Sequence, residues 1–300
     1  MRDALPRNVA DALCRAAEQC DADLGDARVV HQHSNTVVAL PSAGIVIRIA
    51  SNPDALERVK GSVRLTRWLH ARGYPCVEPA LLVPFKAAGL IVSVWRLLDT
   101  VADRPGSASD LATLLRDLHQ QPDPPVTLTT LDDPLASVSA AVQNQGRSLD
   151  GQARAWLLSR IGELRDAWSE LGTDLPPGLI HGDAHSNNLI RTVDGRVLLG
   201  DWDHAAHGPR EWDLIQPFYM ARRFSRHSAK DLDDFAHRYG YDVRQSRSFE
   251  TLIQIREISG LSAYIRKADD DPWSRDEVAG RVRSLRRGDT STSWHPPSAR

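Results

Sequence analysis

Apolar and polar positions alternate with two different periods along the chain, and the first third reads mainly as β-structure. Residues 27–50 combine a two-residue alternation with β-branched content, which predicts a hairpin with the Pro-Ser-Ala-Gly turn near its middle. Residues 77–84 and 89–97 predict two further strands. Helical spacing of apolar residues predicts helices over 1–20 and 51–72, and Gly73 ends the second.

Beyond residue 99 the pattern becomes helical. Residues 103–107 have the composition of a linker, and residues 134–145, 150–171 and 211–287 predict helices with stops near Gly240 and Gly288. One apolar helix face precedes them, and it predicts core packing by Leu111, Leu114, Leu115 and Leu118. A second hairpin over 188–201 interrupts these helices.

These patterns predict an α+β protein with a β-rich lobe over 1–98 and a helical lobe over 99–287. Residues 288–300, DTSTSWHPPSAR preceded by Gly288, have the composition of a disordered tail. Ligand sites favour clefts between such lobes.

Composition narrows the classes of partner. The chain has 300 residues, of which 41% are hydrophobic and 25% charged, as in ordinary globular proteins. A net charge of −2 gives no reason to expect a nucleic acid or an anionic membrane as partner. Three cysteines and no apolar run of membrane-spanning length predict a cytoplasmic protein without disulfides. The sequence does not decide the oligomeric state.

The second hairpin lies in the most informative stretch, HGDAHSNNLIRTVDGRVLLGDWD over 181–203. Asp194-Gly195 is a strong turn signal, and a two-residue loop there places Asn188 directly opposite Asp201. A four-residue loop keeps that register, whereas a three-residue loop with a bulge breaks it. Opposed side chains on one face lie about 4.5–5.5 Å apart at Cβ, close enough to share one Mg²⁺ ion.

Asp183 lies in the loop before this hairpin, where its carboxylate can accept a proton from a substrate hydroxyl or orient that hydroxyl. Phosphoryl transfer needs such a positioned nucleophile, together with a cation that neutralises phosphate charge. Asp203, two residues beyond Asp201, is interpreted as a further metal ligand, a substrate contact or a solvated acid.

The string HGDAHSNN, followed by an apolar hairpin and GDWD, resembles the catalytic core of the aminoglycoside phosphotransferase and choline kinase family. The resemblance covers most of the chain and implies a protein-kinase-like two-lobe fold, with a small antiparallel β lobe and a larger, mainly helical lobe. It implies that Asp183 is the catalytic aspartate and that Asn188 and Asp201 bind the metal. ATP, or another nucleoside triphosphate, and Mg²⁺ are the implied cofactors.

The nucleotide contacts depart from the kinase pattern because the first hairpin has no glycine-rich loop. Backbone N–H groups of residues 31–36, or the side chains of Ser34, Asn35 and Thr36, are expected to take its place. The backbone from Trp95 to Leu97 is expected to hydrogen-bond the adenine where the lobes join.

Arg48 occupies the position of the phosphate-binding lysine. An arginine in an apolar strand needs an anionic partner, and a nucleotide phosphate meets that need. A glutamate on the next helix is the usual protein partner; its slot falls near Ser62, and Glu57 is the acid close by, so the partner is left open.

Histidines in the motif are interpreted as hydrogen-bonded supports for the loop that carries Asp183, and His185 is a further site candidate. In the alternative interpretation, His181 and His185 bind zinc together with His204 and His207. Asp213 is expected to be a buried acid that binds backbone amides near the site.

The leading hypothesis is therefore an ATP- and Mg²⁺-dependent O-phosphotransferase that acts on a hydroxyl of a small molecule. An aminoglycoside-type antibiotic, a sugar and an amino alcohol are the candidate acceptors. Acids at Asp231, Asp233, Asp234 and 269–271 would attract a polycationic antibiotic, and so favour a resistance role, if they line the cleft rather than solvated helix faces. The alternatives are a nucleotide-binding pseudokinase with a regulatory role and a metal-dependent hydrolase.

Overall fold

The computed structural model of the chain describes residues 5–32, 35–101 and 106–296, which form two compact units. The first unit contains Met1–Asp110, Gln120–Leu128 and Ser186–Ala205. The second contains Leu111–His119, Thr129–His185 and Ala206–Arg300. No helix in the described ranges is long and apolar enough to cross a bilayer.

In the described residues, the helices follow one another as α1 (Arg7–Gln19), α2 (Leu56–Ala71), α3 (Ala108–His119), α4 (Ala136–Gln145), α5 (Gly151–Ser169), α6 (Glu211–Leu214), α7 (Gln216–Phe224), α8 (Ala229–Tyr239), α9 (Phe249–Ser259), α10 (Ser262–Lys267) and α11 (Pro272–Arg286). The strands are β1 (Arg28–Gln32), β2 (Asn35–Leu40), β3 (Ile45–Ala50), β4 (Phe85–Ala87), β5 (Leu90–Arg96), β6 (Gly178–Ile180), β7 (Leu189–Arg191), β8 (Val197–Leu199) and β9 (Ala206–Gly208).

The first unit is built on an antiparallel sheet of order β1-β2-β3-β5-β4. The predicted strand over 27–40 is two strands, β1 and β2, which pair with each other. Ile47 on β3 and Val94 on β5 are fully buried and pack in one apolar cluster with Leu13 of α1. The helix predicted over 1–20 therefore covers one face of the sheet.

Proline explains why the strand predicted over 77–84 is not formed. Pro79 and Pro84 have no N–H to donate to a ladder, and the segment keeps only isolated bridges such as Pro79 with Trp95. The helix predicted over 51–72 is confirmed: the Asn52 side chain accepts a bond from the Asp54 N–H at 3.0 Å, and Gly73 follows the end with φ 77°.

The predicted domain boundary at 98/99 differs from the division of the structure, because the second hairpin, β7–β8, belongs to the first unit. Backbone bonds hold it there: the Leu199 N–H donates to the Pro75 carbonyl at 2.9 Å, and the Val193 N–H donates to the Asp99 carbonyl at 2.9 Å. The linker predicted at 103–107 lies mostly outside the described residues.

Local signals predicted the second unit well. The four leucines of α3 are at most 4% exposed. The Asp150 carboxylate accepts a bond from the Ala153 N–H at 2.7 Å and so caps α5. Gly240 and Gly288 end α8 and α11 in left-handed backbone conformations, with φ 93° and 64°.

The prediction of a disordered tail from residue 288 is wrong for residues up to 296. Trp294 is 4% exposed, and its indole N–H donates to the Ser284 hydroxyl at 3.2 Å. The Arg223 guanidinium lies 4.6 Å from the centre of the indole ring. One large aromatic side chain thus packs a segment whose polar composition favours disorder; residues 297–300 lie outside the described residues.

We expect Trp294→Ala to lower the free energy of unfolding by about 3 kcal/mol, because it removes a buried aromatic ring and leaves a cavity. Urea denaturation followed by far-ultraviolet circular dichroism measures the change. Leu158→Ala on α5, at a position that is 36% exposed, is the matched control and should change stability by less than about 0.5 kcal/mol. Equal effects of the two substitutions would contradict the packing of the tail.

Candidate active site

The hairpin of the motif has a three-residue loop, so the predicted register is wrong by one residue. Leu189 pairs with Leu199, and Arg191 pairs with Val197. The loop is Val193–Gly195, in which Gly195 has φ 87°, a left-handed conformation that glycine adopts at little cost.

In this register Asn188 lies opposite Gly200 and not opposite Asp201. The Gly200 N–H donates to the Asn188 carbonyl at 2.9 Å, so Asn188 is still held beside the residue that precedes Asp201. Strand β8 ends at Leu199; two residues later Asp201 has φ 55°, and a short 3-10 turn over Trp202–His204 follows. The strand therefore does not extend to Asp203, which lies in this turn.

Asp203 is the partner of Arg48 that the sequence left open. Arg48 on β3 donates from Nη1 to Asp203 Oδ1 at 2.9 Å and from Nη2 to Asp203 Oδ2 at 2.7 Å, a bidentate pair. Nη2 also donates to Asp201 Oδ1 at 3.3 Å. Glu57 instead forms an ion pair with Lys60 on the surface of α2.

Burial disfavours the ionised forms of Arg48 and Asp203, whereas the interaction between the two side chains favours them. Burial raises the pKa of Asp203, but the hydrogen bond and charge of Arg48 outweigh it, so the net pKa lies below its ordinary value. Burial likewise lowers the pKa of Arg48, and the bond from Arg48 to Asp203 reverses the shift. Both side chains are therefore ionised at neutral pH.

A cavity of about 600 Å³ lies within the first unit, with Arg48 and Asp201 in its wall. Its apolar walls come from strands β2 and β3, from the chain after β5 and from the hairpin. They include Val37, Val46, Trp95, Leu97, Leu189 and Ile190. Asn35 and Ser62 also line it, whereas Ser34 lies outside the described residues.

Two backbone N–H groups at the end of β5 are already bonded within the first unit. The Arg96 N–H donates to the Glu78 carbonyl at 2.9 Å, and the Leu97 N–H donates to the Gly44 carbonyl at 2.9 Å. These two N–H groups already serve the fold of the first unit and are not available to adenine, while adenine binding by the carbonyl groups of this segment stays a prediction. Trp95 and Leu97 line the cavity.

In the second unit, Asp213 organises the loop that carries Asp183, as the sequence predicted. Asp213 is fully buried and accepts the N–H of His181 at 2.7 Å and the N–H of Gly182 at 2.8 Å. The Trp212 indole N–H donates to the Gly182 carbonyl at 3.0 Å. The backbone on the amino side of Asp183 is therefore fixed by buried bonds.

The Asp183 carboxylate lies among donors of the same unit. Its Oδ1 accepts bonds from Arg256 Nη2 and, at 3.3 Å, from Gln216 Nε2. Its Oδ2 lies 3.5 Å from His185 Nε2. The fully buried His181 accepts the Asp183 N–H at Nδ1 over 3.4 Å, the supporting role predicted for it.

Arg256 is the residue that sequence reasoning missed. It lies on α9 in the string TLIQIREIS, where a lone cation among apolar residues is the available signal. The structure does not support the alternative in which histidines bind zinc. The described residues contain no group of three or more His, Cys, Asp or Glu side chains arranged to hold a metal.

Residues 27–249 match the phosphotransferase enzyme family, and the chain belongs to that family. The comparison with curated proteins returned no match. The predictions of this family and of phosphotransferase activity are confirmed.

Solved structures share the fold at low identity. Amicoumacin kinase hAmiN, in complex with AMP-PNP, Ca²⁺ and Ami, is 13% identical with a TM-score of 0.68, over 94% of each chain. Choline kinase LicA from Streptococcus pneumoniae is 13% identical with a TM-score of 0.63, over 91% of this chain and 98% of its own. Aminoglycoside phosphotransferase APH(3'')-Id from Streptomyces rimosus, in complex with ADP and streptomycin, is 18% identical with a TM-score of 0.59, over 83% and 98%. The predicted kinase-like fold class is confirmed.

We expect Asp203→Asn to lower the free energy of unfolding at pH 7 by about 2–4 kcal/mol, because it leaves the Arg48 charge buried without its main partner. The pKa of Asp203 is depressed in the fold, so its stabilisation is complete above the unfolded pKa of about 4 and is lost as pH falls through the lower folded value. Denaturant titrations at pH 7 and at steps below pH 4 measure it.

The stability difference between wild type and Asp203→Asn should therefore shrink on acidification. Asp99→Asn, at an exposed acid of the same unit, is the control and should be neutral at every pH. A difference that stays constant down to low pH would show that the charge of Asp203 is not what stabilises the fold.

Proposed function

We propose that this phosphotransferase moves the terminal phosphoryl group of ATP, or of another nucleoside triphosphate, to a hydroxyl of a small molecule with Mg²⁺ as cofactor. One observation carries the proposal: the cavity of the first unit has apolar walls and is also lined by Arg48 and Asp201, which lie 3.3 Å apart. Apolar walls suit the faces of a nucleobase, and an arginine suits its phosphates.

The fold relatives support a nucleotide as the donor. The amicoumacin kinase structure contains AMP-PNP and Ca²⁺, and the aminoglycoside phosphotransferase structure contains ADP. In this chain Trp95 and Leu97 would bound the base through their side chains, and Arg48 would bind phosphate. Ser34 stays a prediction from the sequence.

Asp201 and Asn188 would hold the metal. The side chain of Asp201 is 45% exposed, so its carboxylate oxygens are accessible in the cavity wall, and Asn188 adjoins it through the bond to Gly200. Carboxylate and amide oxygens are suitable Mg²⁺ ligands. Asp203 has a different task in this proposal, because it holds Arg48 where other members of the fold class use a helix glutamate. Bound Mg²⁺ would neutralise phosphate charge during transfer.

Asp183 would bind the hydroxyl group of the acceptor and take up its proton. As the hydroxyl oxygen forms its bond to the terminal phosphorus, the bond from phosphorus to the bridging oxygen breaks and the nucleoside diphosphate leaves. The hydroxyl proton passes to the Asp183 carboxylate and then to solvent. His185 and Gln216 would orient that carboxylate. A cytoplasmic location and a role in antibiotic resistance stay predictions.

We expect Asp183→Asn to lower kcat by about 100-fold or more, because an amide cannot take up the hydroxyl proton. The Kd of Mg²⁺·ATP should stay within about threefold of the wild-type value, since Asp183 does not line the nucleotide cavity. Release of ADP across a panel of sugars, amino alcohols, aminoglycosides and hydroxy acids gives kcat, and calorimetric titration gives Kd.

Arg48→Gln should instead raise the KM for ATP by about tenfold or more through loss of a charged phosphate contact. Arg64→Gln, at an exposed position of α2, is its control and should change neither constant. Failure of both Mg²⁺·ATP and Mg²⁺·GTP to bind would overturn the proposal. Binding without transfer to any acceptor would favour the pseudokinase alternative.

A further inference from the structure

The guanidinium of Arg256 forms an ion pair with the candidate catalytic carboxylate of Asp183. Arg256 donates from Nη2 to Asp183, and from Nε to Gln216 Oε1 at 2.8 Å. Its guanidinium lies 5.6 Å from the ring centre of Trp212 and 5.9 Å from that of Tyr219. Two hydrogen bonds and two aromatic faces therefore hold this cation where an acceptor hydroxyl would have to approach Asp183.

The acids that could attract a polycationic acceptor are mostly engaged elsewhere. Asp231 caps α8 through Ser228, and Asp271 caps α11. Three others bind neighbours: Asp233 pairs with Arg244, Asp234 pairs with Lys230, and Asp269 accepts bonds from Ser148.

Acids near Arg256 on α9 are likewise matched by arginines of α7. Glu257, which is 2% exposed, pairs with Arg223 at 2.6 Å, and Glu250 pairs with Arg222 at 2.7 Å. These carboxylates carry no surplus negative charge toward a ligand. The positive charge of Arg256 is balanced chiefly by Asp183, the residue that the acceptor must engage.

An acceptor hydroxyl that binds Asp183 Oδ1 competes with Arg256 Nη2 for that oxygen. Arginine does not lose its proton, so its charge then needs another anion. A carboxylate on the acceptor meets this need with two parallel hydrogen bonds. Ammonium groups on the acceptor would add like charge at the same place and be repelled.

We propose, resting on the phosphotransferase function above, that Arg256 selects an acceptor whose reacting hydroxyl is accompanied by a carboxylate, and that it disfavours polycationic acceptors. Arg256 is thus a specificity-determining residue that contacts the substrate. The substrate class of this chain is a hydroxy carboxylate, whereas the aminoglycoside phosphotransferase of the same fold was solved with streptomycin.

The test compares compounds that share a hydroxylated scaffold and differ in charge: glucuronate, glucose and glucosamine, and then glycerate, glycerol and 2-amino-1,3-propanediol. Calorimetry and ligand-observed NMR on the full chain with Mg²⁺ and AMP-PNP give their affinities. In at least one set the carboxylate should bind about tenfold or more tightly than the amine. Arg256→Gln should reduce that ratio to within about threefold, and Arg256→Lys should restore part of it.

Arg222→Gln is the matched control, because it removes an arginine of the same unit that pairs with Glu250 and not with Asp183; it should keep the wild-type ratio. A second measurement needs no variant: raising NaCl from about 0.05 to about 0.5 M should weaken binding of the carboxylate and leave that of the neutral compound unchanged.

Equal or stronger binding of the amines overturns the proposal, and so does a ratio that survives Arg256→Gln. Absence of binding by every compound also counts against it. The underlying function fails separately, through nucleotide binding and through the effect of Asp183→Asn on transfer. A carboxylate preference in a protein that binds no nucleotide would sustain the role of Arg256 and reject the phosphotransferase mechanism proposed for the site.

Discussion

The bidentate pair between Arg48 and Asp203 is the constraint on which the nucleotide-binding half of the site depends. A guanidinium in the middle of a sheet strand is costly unless an anion meets it. The anion comes from a residue 155 positions later, just beyond β8, where the backbone turns through the left-handed conformation of Asp201. The pair therefore depends both on the sheet strand that carries Arg48 and on the turn after β8 that carries Asp203.

The second unit applies the same chemistry to Asp183. The buried carboxylate of Asp213 accepts bonds from the backbone just before Asp183, and the guanidinium of Arg256 donates to the Asp183 side chain. Each unit thus carries an arginine paired with a carboxylate of the motif. The chain passes from one unit to the other between His185 and Ser186, within the motif itself. A short sequence string therefore supplies functional groups to both units.

Sequence reasoning succeeded where a few neighbouring residues decide the outcome, as with the helices predicted over 51–72 and 150–171 and the stops at Gly240 and Gly288. It failed on the hairpin register, because Asp-Gly suits both a two-residue loop and a three-residue loop, and a shift of one residue changes every pair. The partner of Arg48 was out of reach for another reason: nothing local to β3 indicates an acid so distant in the chain. Trp294 shows the same limit, since its packing depends in part on Arg223, which is distant in the sequence.

Under the proposed function, the nucleotide and the acceptor would each displace a protein side chain from its ion pair. Phosphate oxygens would compete with Asp203 and Asp201 for Arg48, and an acceptor hydroxyl would compete with Arg256 for Asp183. The binding free energy is then a difference between two sets of charged hydrogen bonds, and it discriminates by charge more than by the area buried. A ligand that displaces one member of a pair without satisfying the other leaves a partly buried charge unmatched. Selection of the acceptor therefore follows from the arginine beside Asp183, and not from the motif that this chain shares with the rest of its family.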